Sequence, residues 1–276
     1  MKKLFFALFL FFFCYVGYTH PVFDNGLEGR WNITIDVDGK PSPSWLEISH
    51  SGTKTFVGRF VGITGSARPI SKINVTDNKF NFSIPPQWED GEGDFVIEGE
   101  RKGEVLEGTI LTSEGKKYNW KGGRAPSLIK PGTPVWGKPV KLFNGNNLIG
   151  WKAMGKDNQW IAENGVLRSP QSGSNLVTEQ KFTDFKLHIE FRYQKGSNSG
   201  IYLRGRHEVQ RQDDKGKEPS NILFGGVYGF LTPNAMAAKG AGEWQTYDIT
   251  LVGRKITVVA NGKTVICEQL IPGITG

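Results

Sequence analysis

Two short runs, GIYLR at 200–204 and HEVQRQDD at 207–214, hold the residue types best able to do chemistry. Side chains alternate between the two faces of a strand. Tyr202 and Arg204 therefore point one way while Ile201 and Leu203 point the other. After a turn around Gly205 and Arg206, the side chains of Glu208, Gln210 and Gln212 share a face. A Tyr, an Arg, a Glu and a Gln converging on one sheet face can hydrogen-bond hydroxyls and polarise a carbonyl. The same residues would serve as well on a solvated outer strand with cross-strand Arg–Glu pairs. His207 alternates to the face opposite Glu208, a packed or surface position.

Other chemistries find little support. No Gly-x-Ser-x-Gly or Walker pattern occurs, so there is no nucleophile elbow and no phosphate-cradling loop. The four histidines, His20, His50, His188 and His207, are too scattered for a multi-histidine zinc site. Carboxylate and amide oxygens can hold a hard cation such as calcium. Asp213 and Asp214 are the candidates, although an acidic pair followed by KGKEPSN also reads as a solvated loop. EVQRQDD supplies one Glu without the second carboxylate of an ExDxxE strand, so a two-carboxylate retaining glycosidase mechanism has no basis here.

The segments that carry these residues, and those around them, read as strands. From Leu27 to Arg124, short alternating segments such as WNITIDV, KFNFSI and FVIEGER are separated by turns, with Trp31, Ile33, Ile35 and Val37 on one face. Six to eight such strands predict a small antiparallel barrel or sandwich with a weakly lipocalin-like pattern, spanning 24–124. APSLIKPGTPVWGKPV carries four prolines and no periodicity, and reads as a linker at 125–139. A second β domain follows from 140 to 276. In FKLHIEFRY, Phe185, Leu187, Ile189, Phe191 and Tyr193 alternate with Lys186, His188, Glu190 and Arg192. AENG at 162–165 and ANGK at 260–263 place Asn-Gly between strands, a strong hairpin signal. The fold class is all-β, with two packed antiparallel sheets in the second domain.

At the N-terminus, Lys2 and Lys3 precede the apolar run Leu4–Val16, the pattern of a secretory signal peptide over residues 1–20 rather than a membrane span. Phe13 in front of Cys14 argues against a lipid anchor. Removal of the signal leaves Cys267 as the single cysteine, unable to form an internal disulfide and placed in a strand-like structural run. A secreted or periplasmic location fits, with no membrane span in the mature chain. The formal charge of +7 includes Lys2 and Lys3, and the remaining basic residues are interleaved with acidic ones, so nucleic-acid binding is not indicated.

Seven segments in order, LFNGNNLIGW (142–151), QWIAENGVL (159–167), DFKLHIEFR (184–192), NSGIYLR (198–204), EVQRQDD (208–214), GGVYG (225–229) and GEWQTYDI (242–249), together with Asn261-Gly262, resemble the 3-keto-disaccharide hydrolase family. The resemblance implies a concanavalin-like jelly roll in an exported protein acting on 3-keto-glycosides, by hydrolysis or elimination. It also implies further strands after the Asn-Gly hairpin, so the domain reads as C-terminally incomplete. On this reading Glu208 is the acid/base, while Arg204 and Gln210 contact the keto or hydroxyl oxygens. Tyr202, Tyr228 and Trp244 form sugar-contacting walls, with Asn198 and Glu190 as further substrate contacts and Asp213 as a metal ligand. A non-catalytic carbohydrate-binding module is the alternative, and an envelope adhesion or scaffold protein is a third reading.

Overall fold

The computed structural model describes residues 26–63, 65–87 and 89–275. The expected signal peptide lies outside them. Eight strands, β1 (Gly29–Val37), β2 (Lys40–Ser51), β3 (Thr55–Gly62), β4 (Gly65–Thr76), β5 (Lys79–Ile84), β6 (Phe95–Lys102), β7 (Val105–Leu111) and β8 (Lys117–Arg124), pair with their chain neighbours and close into an antiparallel barrel. The closing β1–β8 ladder runs from Trp31↔Arg124 to Ile35↔Trp120 and leaves no open sheet edge. Alternation puts Trp31, Ile33 and Ile35 inside with Ile48, Phe82 and Trp120, so side chains fill the barrel. Val37 is less buried and packs on the margin of that core. At one end Trp31 Nε1 donates to Leu27 O at 2.9 Å, and the Arg124 guanidinium lies 3.8 Å from the ring centroid. β4 was the strand least visible in sequence. It contains Pro69, and its pairing with β3 is broken by register shifts between Phe56 and Gly58 and between Phe60 and Gly62.

No strand occurs among residues 125–150. The proline-rich stretch is pinned to the second β unit where Lys130 Nζ meets Asp184 Oδ2 at 2.7 Å and Lys186 Nζ sits 5.1 Å from the Trp136 ring centroid.

The second unit continues with β9 (Trp151–Ala153), β10 (Ile161–Glu163), β11 (Val166–Arg168), β12 (Leu176–Thr178), β13 (Phe185–Phe191), β14 (Asn198–Leu203), β15 (His207–Gln212), β16 (Gln245–Val252), β17 (Lys255–Ala260) and β18 (Lys263–Leu270). Strands β13, β16, β17 and β18 form one sheet in that order; β14 and β15 form a hairpin, and β9–β12 and β10–β11 are short pairs. Both Asn-Gly turns take the doubly positive φ of tight hairpins, Asn164 at 51° with Gly165 at 77°, and Asn261 at 49° with Gly262 at 80°. Two layers bury a common core. Leu203 and Val209 from the hairpin meet Tyr247, Ile249, Leu251 and Val258 from the sheet. Cys267 follows a register shift that buries Val265 and Ile266 together and leaves the thiol exposed, so it is not a core residue.

Candidate functional site

The β14–β15 register sets the site. Asn198 faces Gln212, Gly200 faces Gln210, and Tyr202 faces Glu208. The Glu208 main chain turns away from β14, its carbonyl accepting from Tyr228 N at 2.9 Å and its N–H donating to Thr275 Oγ1 at 3.2 Å. Tyr202 and Glu208 are therefore a non-hydrogen-bonded pair, the arrangement that brings cross-strand side chains closest. Residues 225–228 run antiparallel along the other side of β15, with Gln210 N to Gly226 O at 2.9 Å and a bridge between Val209 and Val227. Tyr228 thus continues the row, and Glu208 stands between two tyrosines on the face turned away from the core.

Gly200 makes room for the carboxylate. A Cβ at this position would overlap Glu208 Oε1, so the glutamate side chain folds over space that only glycine leaves open. Burial raises the Glu208 carboxyl above its ordinary value, and a hydrogen bond with Tyr202 opposes that shift. The Tyr202 hydroxyl is itself raised, first by burial and then by the Glu208 charge, and stays protonated. Beside them the Gln210 amide is 2% exposed. Its nitrogen lies 3.0 Å from Asn198 Oδ1 and 3.1 Å from Gln212 Oε1. Turning the amide over would place that nitrogen 2.9 Å from Ser199 O and 3.3 Å from Glu208 Oε1. Tyr247 Oη anchors this strand from below by donating to Gln210 O at 2.7 Å.

The model of the 3-keto-alpha-glucoside-1,2-lyase-like domain matches residues 138–275. The chain belongs to this family. A 3-keto-disaccharide hydrolase from Bacteroides thetaiotaomicron is 31% identical over 97 residues, covering 31% of this chain and 33% of that protein, so the chain spans about a third of its relative's length. Two crystal structures of candidate glycosyl hydrolases from Parabacteroides distasonis are also similar. One has 26% identity and a TM-score of 0.44 over 56% of this chain and 82% of its own. The other has 21% identity and a TM-score of 0.40 over 45% and 69%.

In this member of the 3-keto-alpha-glucoside-1,2-lyase-like family, the structure gathers Asn198, Tyr202, Glu208, Gln210 and Tyr228 from the expected set and leaves four residues elsewhere. Arg204 lies beyond the last β14 residue with φ 57°, and its guanidinium donates to Gly253 O. Strict alternation fails there because the turn rotates the chain. Glu190 and Trp244 belong to the outward side of β13 and the residue preceding β16, whose inward residues Phe191, Tyr247 and Ile249 meet the hairpin across the core. Trp244 packs on Arg192 at 5.1 Å, and Glu190 lies near His188 at 3.7 Å. Asp213 accepts from Gly196 N at 3.0 Å and braces the turn in which Ser197 N donates to Gln194 O.

No group of three or more His, Cys, Asp or Glu able to hold a metal occurs among the described residues. Asp214 corrects the reading of this segment as a solvated loop. It is fully buried and accepts from Phe224 N at 2.9 Å, Lys217 Nζ at 2.8 Å and Gln212 Nε2 at 3.1 Å, which ties the 213–226 connection back to β15. His207 is packed at 1% exposure, and burial pushes its imidazole down to about 3, helped by the charges of Arg204 and Arg206.

Proposed function

We propose that this chain cleaves 3-keto-glycosides at the Tyr202–Glu208–Tyr228 row. The observation that carries the reading is a single, partly buried carboxylate with a raised proton affinity, flanked by tyrosines and amides, in a chain of the 3-keto-alpha-glucoside-1,2-lyase-like family. A 3-ketone acidifies the C2 hydrogen, so one base suffices. Glu208 takes the C2 proton and the C2–H electrons form the enolate. As the carbonyl reforms, the C1–O bond breaks and its electron pair leaves with the aglycone, which takes a proton from the protonated Glu208 or from solvent. The products are the free aglycone and a 1,2-unsaturated 3-keto sugar. Addition of water across the new double bond gives the net products of hydrolysis. With Arg204 directed to Gly253, the donor beside the carboxylate is neutral, the Tyr202 hydroxyl, which turns to the developing oxyanion once Glu208 has taken the C2 proton.

Asn198 and Tyr202, both exposed, together with half-buried Gln212, also suit sugar binding without turnover. Incubation with 3-keto-disaccharides and with their unoxidised parents distinguishes the two. Release of the aglycone from the keto substrate, abolished in Glu208→Gln, supports the enzyme. Retained binding with no release, in wild type and variant alike, supports the binding module. We further propose export through the Leu4–Val16 segment, which fractionation of expressing cells tests.

A further inference from the structure

The strand bearing Glu208 is held, at the end of its pairing with residues 225–228, by a tail that the barrel grips. Thr275 is 2% exposed and makes four hydrogen bonds. Its N–H donates to Arg206 O at 2.7 Å, its Oγ1 accepts from Glu208 N at 3.2 Å, and the same hydroxyl donates to Tyr228 O at 3.3 Å. Its carbonyl accepts from Ser66 N in barrel strand β4 at 2.7 Å. Two residues earlier, Gly273 is wedged between the two units. A Cβ there would lie 2.5 Å from the Trp45 ring and 2.8 Å from Phe230. Trp45 and Phe230 themselves meet edge-on at 6.5 Å, and Arg59 of β3 lies 5.3 Å from the Phe230 ring centroid. Phe230 is in the turn that begins at Val227, next to Tyr228.

We infer that Thr275 is a positioning residue for Glu208 and Tyr228, and that the β-barrel serves the candidate site by clamping the 273–275 tail against them. Buried main-chain groups need partners. The Thr275 hydroxyl supplies an acceptor to one site residue and a donor to the next, so the spacing of Glu208 and Tyr228 follows the tail, and the tail follows the barrel. Neither Thr275 nor Gly273 belongs to the reacting set.

The inference rests on the proposed function only for its kinetic readout, so the experiment carries a second one. Thr275→Val removes the hydroxyl at nearly constant volume, Thr275→Ser keeps it, and Gly273→Val separates the tail from Trp45 and Phe230. In the full-length protein, amide hydrogen exchange over 206–212 and 226–231 is expected to quicken at least tenfold in Thr275→Val and Gly273→Val and to stay at the wild-type rate in Thr275→Ser. With 3-keto-disaccharide as substrate, kcat falls about tenfold at unchanged KM in the first two, and serine restores it. Unchanged exchange at both segments in Thr275→Val and Gly273→Val overturns the clamp. Faster exchange with unaltered kcat overturns the positioning role. If wild type releases no aglycone, the proposed function fails, and the exchange result alone upholds or overturns the clamp.

Discussion

Glu208 lies across Gly200, its Oε1 occupying the place where any other residue would carry a Cβ. The contact joins adjacent strands and fixes where the carboxylate can sit. Gly200 does not need a left-handed backbone, so alanine is conformationally acceptable there and acts only through its methyl group. Gly200→Ala is expected to displace the carboxylate and lower kcat for a 3-keto-disaccharide by roughly 10–100-fold, while the melting temperature moves little. Steady-state kinetics with a thermal melt check both halves. Wild-type kcat in Gly200→Ala would remove Glu208 from the chemistry.

Glu208→Gln keeps shape and hydrogen bonding but removes the base, with an expected loss of about 10²–10⁴ in kcat. Because burial raises the Glu208 carboxyl, its ionised form prevails only at a pH above the ordinary glutamate range. The acid limb of kcat/KM in wild type should therefore lie at higher pH than that of a free glutamate, and activity should rise through it. Tyr202→Phe removes the hydrogen bond that opposes the shift, and moves that limb further upward.

His207 makes stability depend on acid. Its folded imidazole is held down to about 3, against an unfolded value of 6.5. Between these values the unfolded chain binds the extra proton, so the neutral ring's contribution is present above 6.5 and is lost as pH falls toward 3. Urea titrations between pH 7 and pH 4 should show stability declining with a slope approaching 1.4 kcal/mol per pH unit from this group. His207→Leu should flatten that part of the profile.

Asp214 organises the connection that carries Phe224 and Tyr228. Asp214→Ala leaves the Phe224 N–H without its acceptor and Lys217 without its partner, at an expected cost on the order of 3 kcal/mol. Chemical denaturation measures the loss, and hydrogen exchange should show its earliest opening within 213–226.

Much of the architecture was legible because strand periodicity and turn chemistry are local. Trp31, Ile33 and Ile35 enter the barrel core as their spacing requires, and Asn164-Gly165 and Asn261-Gly262 form the hairpins that their left-handed preferences favour. β4 was obscured because Pro69 and the register shifts break the alternation on which a strand is recognised. Asp214 looked solvated because two of its donors, Lys217 and Phe224, lie three and ten residues away, and nothing in KGKEPSN marks the carboxylate as buried.

Alternation within and across a hairpin is a local property, so a common face for Tyr202, Glu208 and Gln210 could be read from the residues alone. The sequence also carried the family motifs from LFNGNNLIGW to the Asn-Gly turn. Which polar residues meet depends on packing between distant segments. Arg204 is turned off the face by its positive φ; Glu190 and Trp244 lie across a core from Glu208; and Tyr228 joins the row through pairing between Val209 and Val227. The place of Thr275 between Ser66 and Glu208 was equally invisible, because it depends on how a filled barrel docks against a distant tail. Contacts between segments far apart in sequence follow from packing and loop closure, which no local period encodes.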